Sequence, residues 1–306
     1  MTKSEIVTIN NKVYHLGLAK GELATNIFLV GDPARASKVA RHFDPVTHEV
    51  KNREFVTITG TYRGLPVSVI GTGIGTDNVE IALLEAYTLH AFDFDSKEKL
   101  SDPPTLTIIR IGTSGGMQAD IDPGTLGIAT YALGLDSTGL FYDHPHSDDQ
   151  VLAIEQAAAD LLDQATPAGS RFKGKILAYA SKASEEMAAE LVSQAKKIQA
   201  DHVTGITVSS PGFYGPSGRY IEGLKNTVPN IKHDLAELNV NGIQAINMEM
   251  ESSLIFHIAH QLGYRAGTIC PIISNPYKST AIVDYDACVK QAIEIGLAAM
   301  TELKPK

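Results

Sequence analysis

The stretch Thr107-Ile108-Ile109-Arg110-Ile111-Gly112-Thr113-Ser114-Gly115-Gly116 decides the fold. A short apolar run that ends in small residues reads as a buried strand stopping on a loop at its carboxyl end, where open α/β sheets take their ligands. Arg110 interrupts the run. A guanidinium inside a buried strand is costly without a partner, so the segment implies either a structural carboxylate beside it or an anionic ligand. Gly112 to Gly116 also fits G-x-S-x-G with Ser114 as nucleophile, but that elbow requires a helix directly after the serine. Met117 to Thr125 instead carries Asp120, Asp122, Pro123 and Gly124 and leads into another strand pattern, which argues against a serine hydrolase.

Outward from this strand, apolar runs of strand length alternate with helical patterns. Strands are expected at Ile27 to Val30, Phe55 to Thr61, Val67 to Gly71, Leu126 to Leu133, Ile176 to Ala180, Val203 to Ser209, Ile243 to Ile246 and Gly267 to Ile273. Helices are expected at Arg35 to His42, at Asn78 to Phe92, where Val79, Ala82, Leu83 and Ala86 form one apolar stripe, and around Ala287 to Leu303. Ser147 and Gln150 form a capping-box pattern ahead of a further helix through Val151, Leu152, Ile154 and Leu161. With no linker or repeat interrupting the alternation, the expected architecture is one α/β domain over residues 1–306, a three-layer α/β/α sandwich around a central mixed sheet.

Composition narrows the function classes. The 306 residues carry 26 Lys and Arg against 35 Asp and Glu, a net charge of −9, which disfavours nucleic acid and anionic lipid as partners. Any anionic ligand then needs a local pocket of arginines. Two cysteines, Cys270 and Cys288, make neither a disulfide framework nor a zinc pattern. Without a signal peptide or an apolar run of about 18 residues, a cytoplasmic protein with no membrane association is expected.

Three further segments carry chemistry. Leu29-Val30-Gly31-Asp32-Pro33-Ala34-Arg35 is a strand that stops on glycine and supplies an arginine at a helix start, a pattern that suits phosphate and equally a plain strand-to-helix turn. Gly71-Thr72-Gly73-Ile74-Gly75-Thr76 lacks the third glycine of a dinucleotide fingerprint and reads as a glycine-rich approach loop. Asn247-Met248-Glu249-Met250-Glu251-Ser252 closes a strand and opens a helix with two carboxylates, which suit either vicinal sugar hydroxyls or the helix dipole. Asp143, His144, His146, Asp148 and Asp149 match no standard metal spacing and read as a polar surface loop, so no metal is assigned.

In joint order and spacing these segments, with Tyr14 to Lys20, Asn52-Arg53-Glu54-Phe55, Phe213-Tyr214 and Arg219-Tyr220, resemble the nucleoside phosphorylase-I family, and within it the uridine phosphorylase branch. The resemblance implies phosphorolysis without a cofactor: inorganic phosphate, as co-substrate, attacks the anomeric carbon of a nucleoside to give ribose 1-phosphate and a free base. It implies phosphate contacts from Gly31, Arg35, Arg110 and Thr113, with Arg53 supplied by a neighbouring subunit. Ribose contacts would come from Thr113, Glu249, Met250 and Glu251, and from His15 of the neighbour. Base contacts would come from Phe213, Ser217 and Arg219, and the catalytic residues would be Arg110, Arg219 and Glu251. Shared sites imply a homo-oligomer built from dimers, as a dimer or a hexamer. Two departures bear on the base: Ser217 stands where the branch carries a glutamine, and Asn275 is followed by Pro276 rather than arginine. A nucleosidase, a purine phosphorylase of the same fold and a catalytically silent nucleoside-binding member are the alternatives.

Overall fold

The structure, a computed structural model, describes residues 4–278 and 283–303. A two-stranded ribbon, β1 (Thr8–Ile9) and β2 (Lys12–Val13), precedes the main sheet. Then come β3 (Asn26–Val30), α1 (Pro33–Ala40), β4 (Val46–Asn52), β5 (Phe55–Tyr62), β6 (Leu65–Gly71), α2 (Thr76–Ala91), β7 (Thr107–Ile111), β8 (Ser114–Gly116) and β9 (Leu126–Gly134). The second half contributes α3 (Asp149–Ala165), β10 (Tyr179–Lys182), α4 (Glu185–Lys197), β11 (His202–Ser209), α5 (Ile231–Ala236), β12 (Asn239–Val240), β13 (Ile243–Glu249), α6 (Ser252–Leu262), β14 (Arg265–Ser274) and α7 (Tyr285–Glu302).

The strand order in the main sheet is β10-β9-β11-β13-β8-β14-β7-β3-β6-β5-β4, with β12 beside β13. Two parallel blocks, β9-β11-β13 and β14-β7-β3-β6, are joined through the three-residue β8, which runs antiparallel to β13 and parallel to β14. A further antiparallel pairing of β14 with β9 closes these five strands into a ring. The sheet is therefore mixed, as expected.

Both faces are covered, which explains why β3 and β7 read as continuous apolar runs. Ile27, Leu29 and Ile108 pack with α2 and α6 on one face, while Phe28, Val30, Ile109 and Ile111 pack with α1, α4 and α7 on the other. The period-two alternation puts Arg110 on the face of Ile108. A third cluster seats α3 and α5 on β9, β11 and β13.

Several boundaries differ from expectation. The helix expected at Arg35 to His42 begins at Pro33, because Pro suits the first helical position and the Asp32 carboxylate accepts the Ala34 N–H at 2.8 Å. Ser147 and Gln150 do not cap α3. Asp148 is the cap, accepting the Val151 N–H at 2.9 Å, while Gln150 turns away to donate to the Val240 carbonyl. The strand expected at Ile176 to Ala180 is Tyr179–Lys182, positioned by antiparallel register with β9. β13 runs three residues beyond Ile246, so Asn247, Met248 and Glu249 belong to the strand.

Candidate active site

The carboxyl ends of β3, β7, β11, β13 and β14 surround a cavity of about 1080 Å³, at the upper end of the size usual for small-molecule sites. Gly31, Arg35, Arg110, Thr113, Phe213, Ser217, Arg219, Glu249, Met250 and Glu251 all line it. These ten come from four separate stretches of sequence, and the fold brings them together.

Arg110 sits at the centre. It is 4% exposed, its Nε donates to Glu249 Oε2 at 2.9 Å, and its Nη2 donates to Glu251. Its Nη1 is buried and has no hydrogen-bond partner among the described residues. The two sequence alternatives for Arg110 thus coexist: structural carboxylates neutralise the charge, and one donor remains for a ligand. Glu249 also accepts the Ser209 hydroxyl at 2.6 Å and the N–H groups of Glu251 and Ser252 at 3.0 Å. Burial opposes its ionisation, but Arg110, Ser209 and these backbone donors outweigh burial and hold the carboxyl below its usual range. Glu251 goes the other way. Burial raises it, Arg110 opposes, and the neighbouring charge of Glu249 adds to the rise. Its other oxygen accepts the Gly75 N–H at 2.7 Å. The glycine-rich loop after β6 therefore positions a carboxylate, which explains its glycines: Gly73 and Gly75 sit at φ +78° and +100°. Glu249 does serve the start of α6 through the Glu251 and Ser252 N–H groups, and the ion pairs with Arg110 add to that helix-start reading.

Arg35 is also buried, its Nη1 donating to the Ile111 carbonyl at 3.1 Å and its Nη2 to the Tyr285 hydroxyl at 2.7 Å. Among the described residues no carboxylate stands within salt-bridge distance of it, so its charge faces the cavity uncompensated. Because Asp32 caps α1 from within, the helix terminus is not an open anion site. On this side the cavity is lined by Gly31 and the Arg35 side chain. Gly31 admits the carbonyl of Gly73, which lies 3.3 Å from where a side chain would begin.

Ser114 is engaged structurally, its hydroxyl accepting from Asn247 at 2.9 Å, and β8 rather than a helix follows Thr113. The elbow geometry is absent. Beyond the two carboxylates, the Arg219 guanidinium stacks over Phe213 at 3.8 Å and donates to its carbonyl at 2.5 Å. Ser217 lines the cavity, but its hydroxyl is turned into the loop onto the Gly212 carbonyl at 2.6 Å and Ser210 at 3.1 Å. Asn275 is likewise engaged, donating to the carbonyls of Gln118 and Ile121 at 2.8 and 2.7 Å.

His15 and Arg53 lie off the cavity. Arg53, at φ +52° in the tight turn between β4 and β5, donates to the Tyr14 hydroxyl at 2.5 Å and covers its ring. His15 bonds Glu85 at 2.8 Å, and Asn52 donates to the carbonyls of both Tyr14 and His15. The two residues form a separate surface patch of the same chain. In the loop before α3, His146 bonds Glu155 at 2.7 Å and Asp148 pairs with Lys182 at 2.9 Å. Among the described residues, no group of three or more His, Cys, Asp or Glu is placed to hold a metal ion, and no helix is long and apolar enough to cross a membrane.

Lys232 on α5 and Tyr285 on α7 are among the lining residues that the sequence does not announce. The only local signal for Lys232 is its place between the buried Ile231 and Leu235 of a six-residue helix.

Known proteins share this arrangement. The chain is 29% identical to a uridine phosphorylase of Thermococcus kodakarensis over 86% of its own length and 77% of the relative's. It is 28% identical to a uridine phosphorylase of Treponema pallidum over 96% of each. A solved Trypanosoma brucei nucleoside phosphorylase, described as showing uridine phosphorylase activity, superposes with a TM-score of 0.88 at 28% identity, covering 98% of this chain and 100% of that one. The family model of the phosphorylase superfamily matches residues 25–303, and the chain belongs to that superfamily.

Proposed function

We propose that this chain catalyses phosphorolysis of a pyrimidine nucleoside, with uridine and inorganic phosphate giving uracil and ribose 1-phosphate. The observation that carries the reading is the single cavity in which Arg35 and the partnerless Nη1 of Arg110 stand beside the Glu249–Met250–Glu251 segment and the Phe213–Arg219 pair. Similarity to uridine phosphorylases along most of the chain supports it.

In this reading Gly31, Arg35, Arg110 and Thr113 hold phosphate by charge-assisted hydrogen bonds. Glu249 and Glu251 accept from ribose hydroxyls, Met250 packs on the sugar, and Phe213 and Arg219 face the base, with Ser217 shaping the loop behind it. A phosphate oxygen forms a bond to C1′ while the C1′–N1 bond breaks, leaving its electron pair on the base. The proton carried by monohydrogen phosphate is, in net terms, the proton that neutral uracil takes up. Holding both reactants in one cavity supplies the proximity, and fixed donors near the base stabilise the charge it acquires. No cofactor or metal takes part.

The chain works as one domain over residues 1–306, in the cytoplasm, as a homo-oligomer of dimers. The Tyr14–His15–Arg53 patch of one subunit completes the site of the next, His15 toward the ribose and Arg53 toward phosphate. The test is uracil release from uridine with and without phosphate, run beside thymidine, inosine and guanosine. Release that depends on phosphate and favours uridine supports the reading. Equal release without phosphate marks a nucleosidase, preference for inosine or guanosine marks a purine phosphorylase, and binding with no turnover marks a silent member.

A further inference from the structure

Lys232 is a cation in the cavity that the phosphate and sugar contacts leave unused. It lies in the first turn of α5, half-buried, and lines the cavity together with Arg219 and Phe213. Its Nζ stands 3.0 Å from where a side chain at Gly115 would begin, so the bare Gly115 leaves it room. Gly218, at φ +76°, lies against the base of the same residue: a Cβ there would meet Ile231 Cγ2 at 3.3 Å, the Lys232 backbone nitrogen at 3.4 Å and the Lys232 Cβ at 3.6 Å. Two glycines thus let the loop and strand β8 close in around this side chain.

Among the described residues Lys232 has no hydrogen-bond or ion-pair partner. Burial, with the positive charge of Arg219 second, brings its ammonium down to about 8. Three polar side chains that also line the cavity are engaged, Ser217 with Gly212 and Ser210, Asn275 with Gln118 and Ile121, Arg219 with Phe213. A lysine ammonium offers three donors and no acceptor. Held without a counter-ion beside a second cation, it matches a ligand that brings acceptor oxygens or develops negative charge.

Resting on the reading of this cavity as a nucleoside phosphorolysis site, we propose that Lys232 contacts the substrate base, donating to a carbonyl oxygen of the departing pyrimidine, and with Arg219 sets the preference for bases with carbonyl acceptors on that edge. As the C1′–N1 bond breaks, its electron pair spreads onto the base carbonyls, and the ammonium stabilises that charge where Ser217 does not.

The experiment uses the full chain with Lys232→Met, which keeps length and removes the donors, and Lys232→Arg, which restores them. Readouts are kcat/KM for uridine at saturating phosphate, KM for phosphate, and calorimetric affinity for uracil. Loss of one hydrogen bond to a charged donor predicts a fall of about tenfold or more in kcat/KM for uridine in Lys232→Met. Uracil affinity falls with it, phosphate KM stays within about twofold, and Lys232→Arg recovers part of the loss. Unchanged uridine kcat/KM and uracil affinity in folded Lys232→Met overturn the proposal, as does a loss shared equally by phosphate KM. If Lys232→Met does not fold, Lys232→Gln with the same readouts decides. A wild-type chain that releases no uracil from uridine and phosphate overturns the parent reading, and this inference with it.

Discussion

Arg110 carries two duties that pull in different directions. As counter-ion to Glu249 and Glu251 it is part of the folded core, and through Nη1, unpartnered among the described residues, it is the proposed phosphate contact. Arg110→Ala therefore leaves two buried carboxylates without their cation, and a stability loss of about 3–5 kcal/mol is expected in urea unfolding. The sequence implies a partner for Arg110 without naming it, because the carboxylates on β13 and at the start of α6 lie about 140 positions away. Arg35→Ala is the cleaner test of phosphate contact. Arg35 has only a carbonyl and the Tyr285 hydroxyl as partners, so the variant should fold and show phosphate KM raised about tenfold or more, in steady-state titration of phosphate. Lys232 makes a prediction of the opposite sign for stability. Its ammonium titrates near 8 in the folded chain and near 10.4 when unfolded, so below about pH 8 both states are protonated and the native state bears the full cost of a desolvated charge. Between about pH 8 and 10.4 the unfolded state binds more protons, and that cost fades as pH rises. Ligand-free Lys232→Met should thus be more stable than wild type at pH 7, with the gap closing toward pH 10 in parallel urea melts.

At the scale of elements, the strands buried on both faces were legible. β3, β7, β11 and β14 announce themselves as apolar runs, and the stripe of α2 follows from its spacing. β4 was not legible: its seven residues, Val46–Asn52, are mostly exposed and polar, and hydrogen bonding to β5 rather than burial makes them a strand. β8 is three residues long and exists only because β13 and β14 bracket it. The α3 cap went to Asp148 rather than Ser147 because neighbouring Asp and Ser are equivalent caps in sequence, and only the position of the first helical turn separates them. For the site, Gly31, Arg35, Arg110 and the Glu249–Glu251 segment were readable because special residues sit at strand ends. Lys232 was not, since its role depends on the distant Gly115 and the nearby Gly218 closing around it. Gly218→Ala tests that closure. A side chain at φ +76° costs about 1–2 kcal/mol and crowds Ile231, so uridine kcat/KM should fall with Tm while phosphate KM holds.

At the scale of the molecule, the two residues outside the cavity bear on the proposed sharing of sites between subunits. His15, Tyr14 and Arg53 sit together through Asn52, on a surface with no access to their own chain's cavity. If Arg53 serves the neighbouring site, Arg35→Ala and Arg53→Ala chains each lose about tenfold or more at subsaturating phosphate, and a mixed dimer regains one intact site of two. Co-expression should then restore about a quarter of wild-type activity after random mixing. Absence of any recovery, with mixed dimers verified by mass, would contradict a shared site. The net charge of −9 makes the same point about scale: the acidic whole does not decide anion binding, because Arg35 and the free donor of Arg110 act within the cavity at hydrogen-bond range. The central claim is that phosphate, not water, attacks the sugar in that cavity. Phosphorus NMR of the wild-type chain with uridine and inorganic phosphate tests it directly: ribose 1-phosphate should appear in step with uracil, whereas uracil accompanied by free ribose and an unchanged phosphate signal would contradict the account.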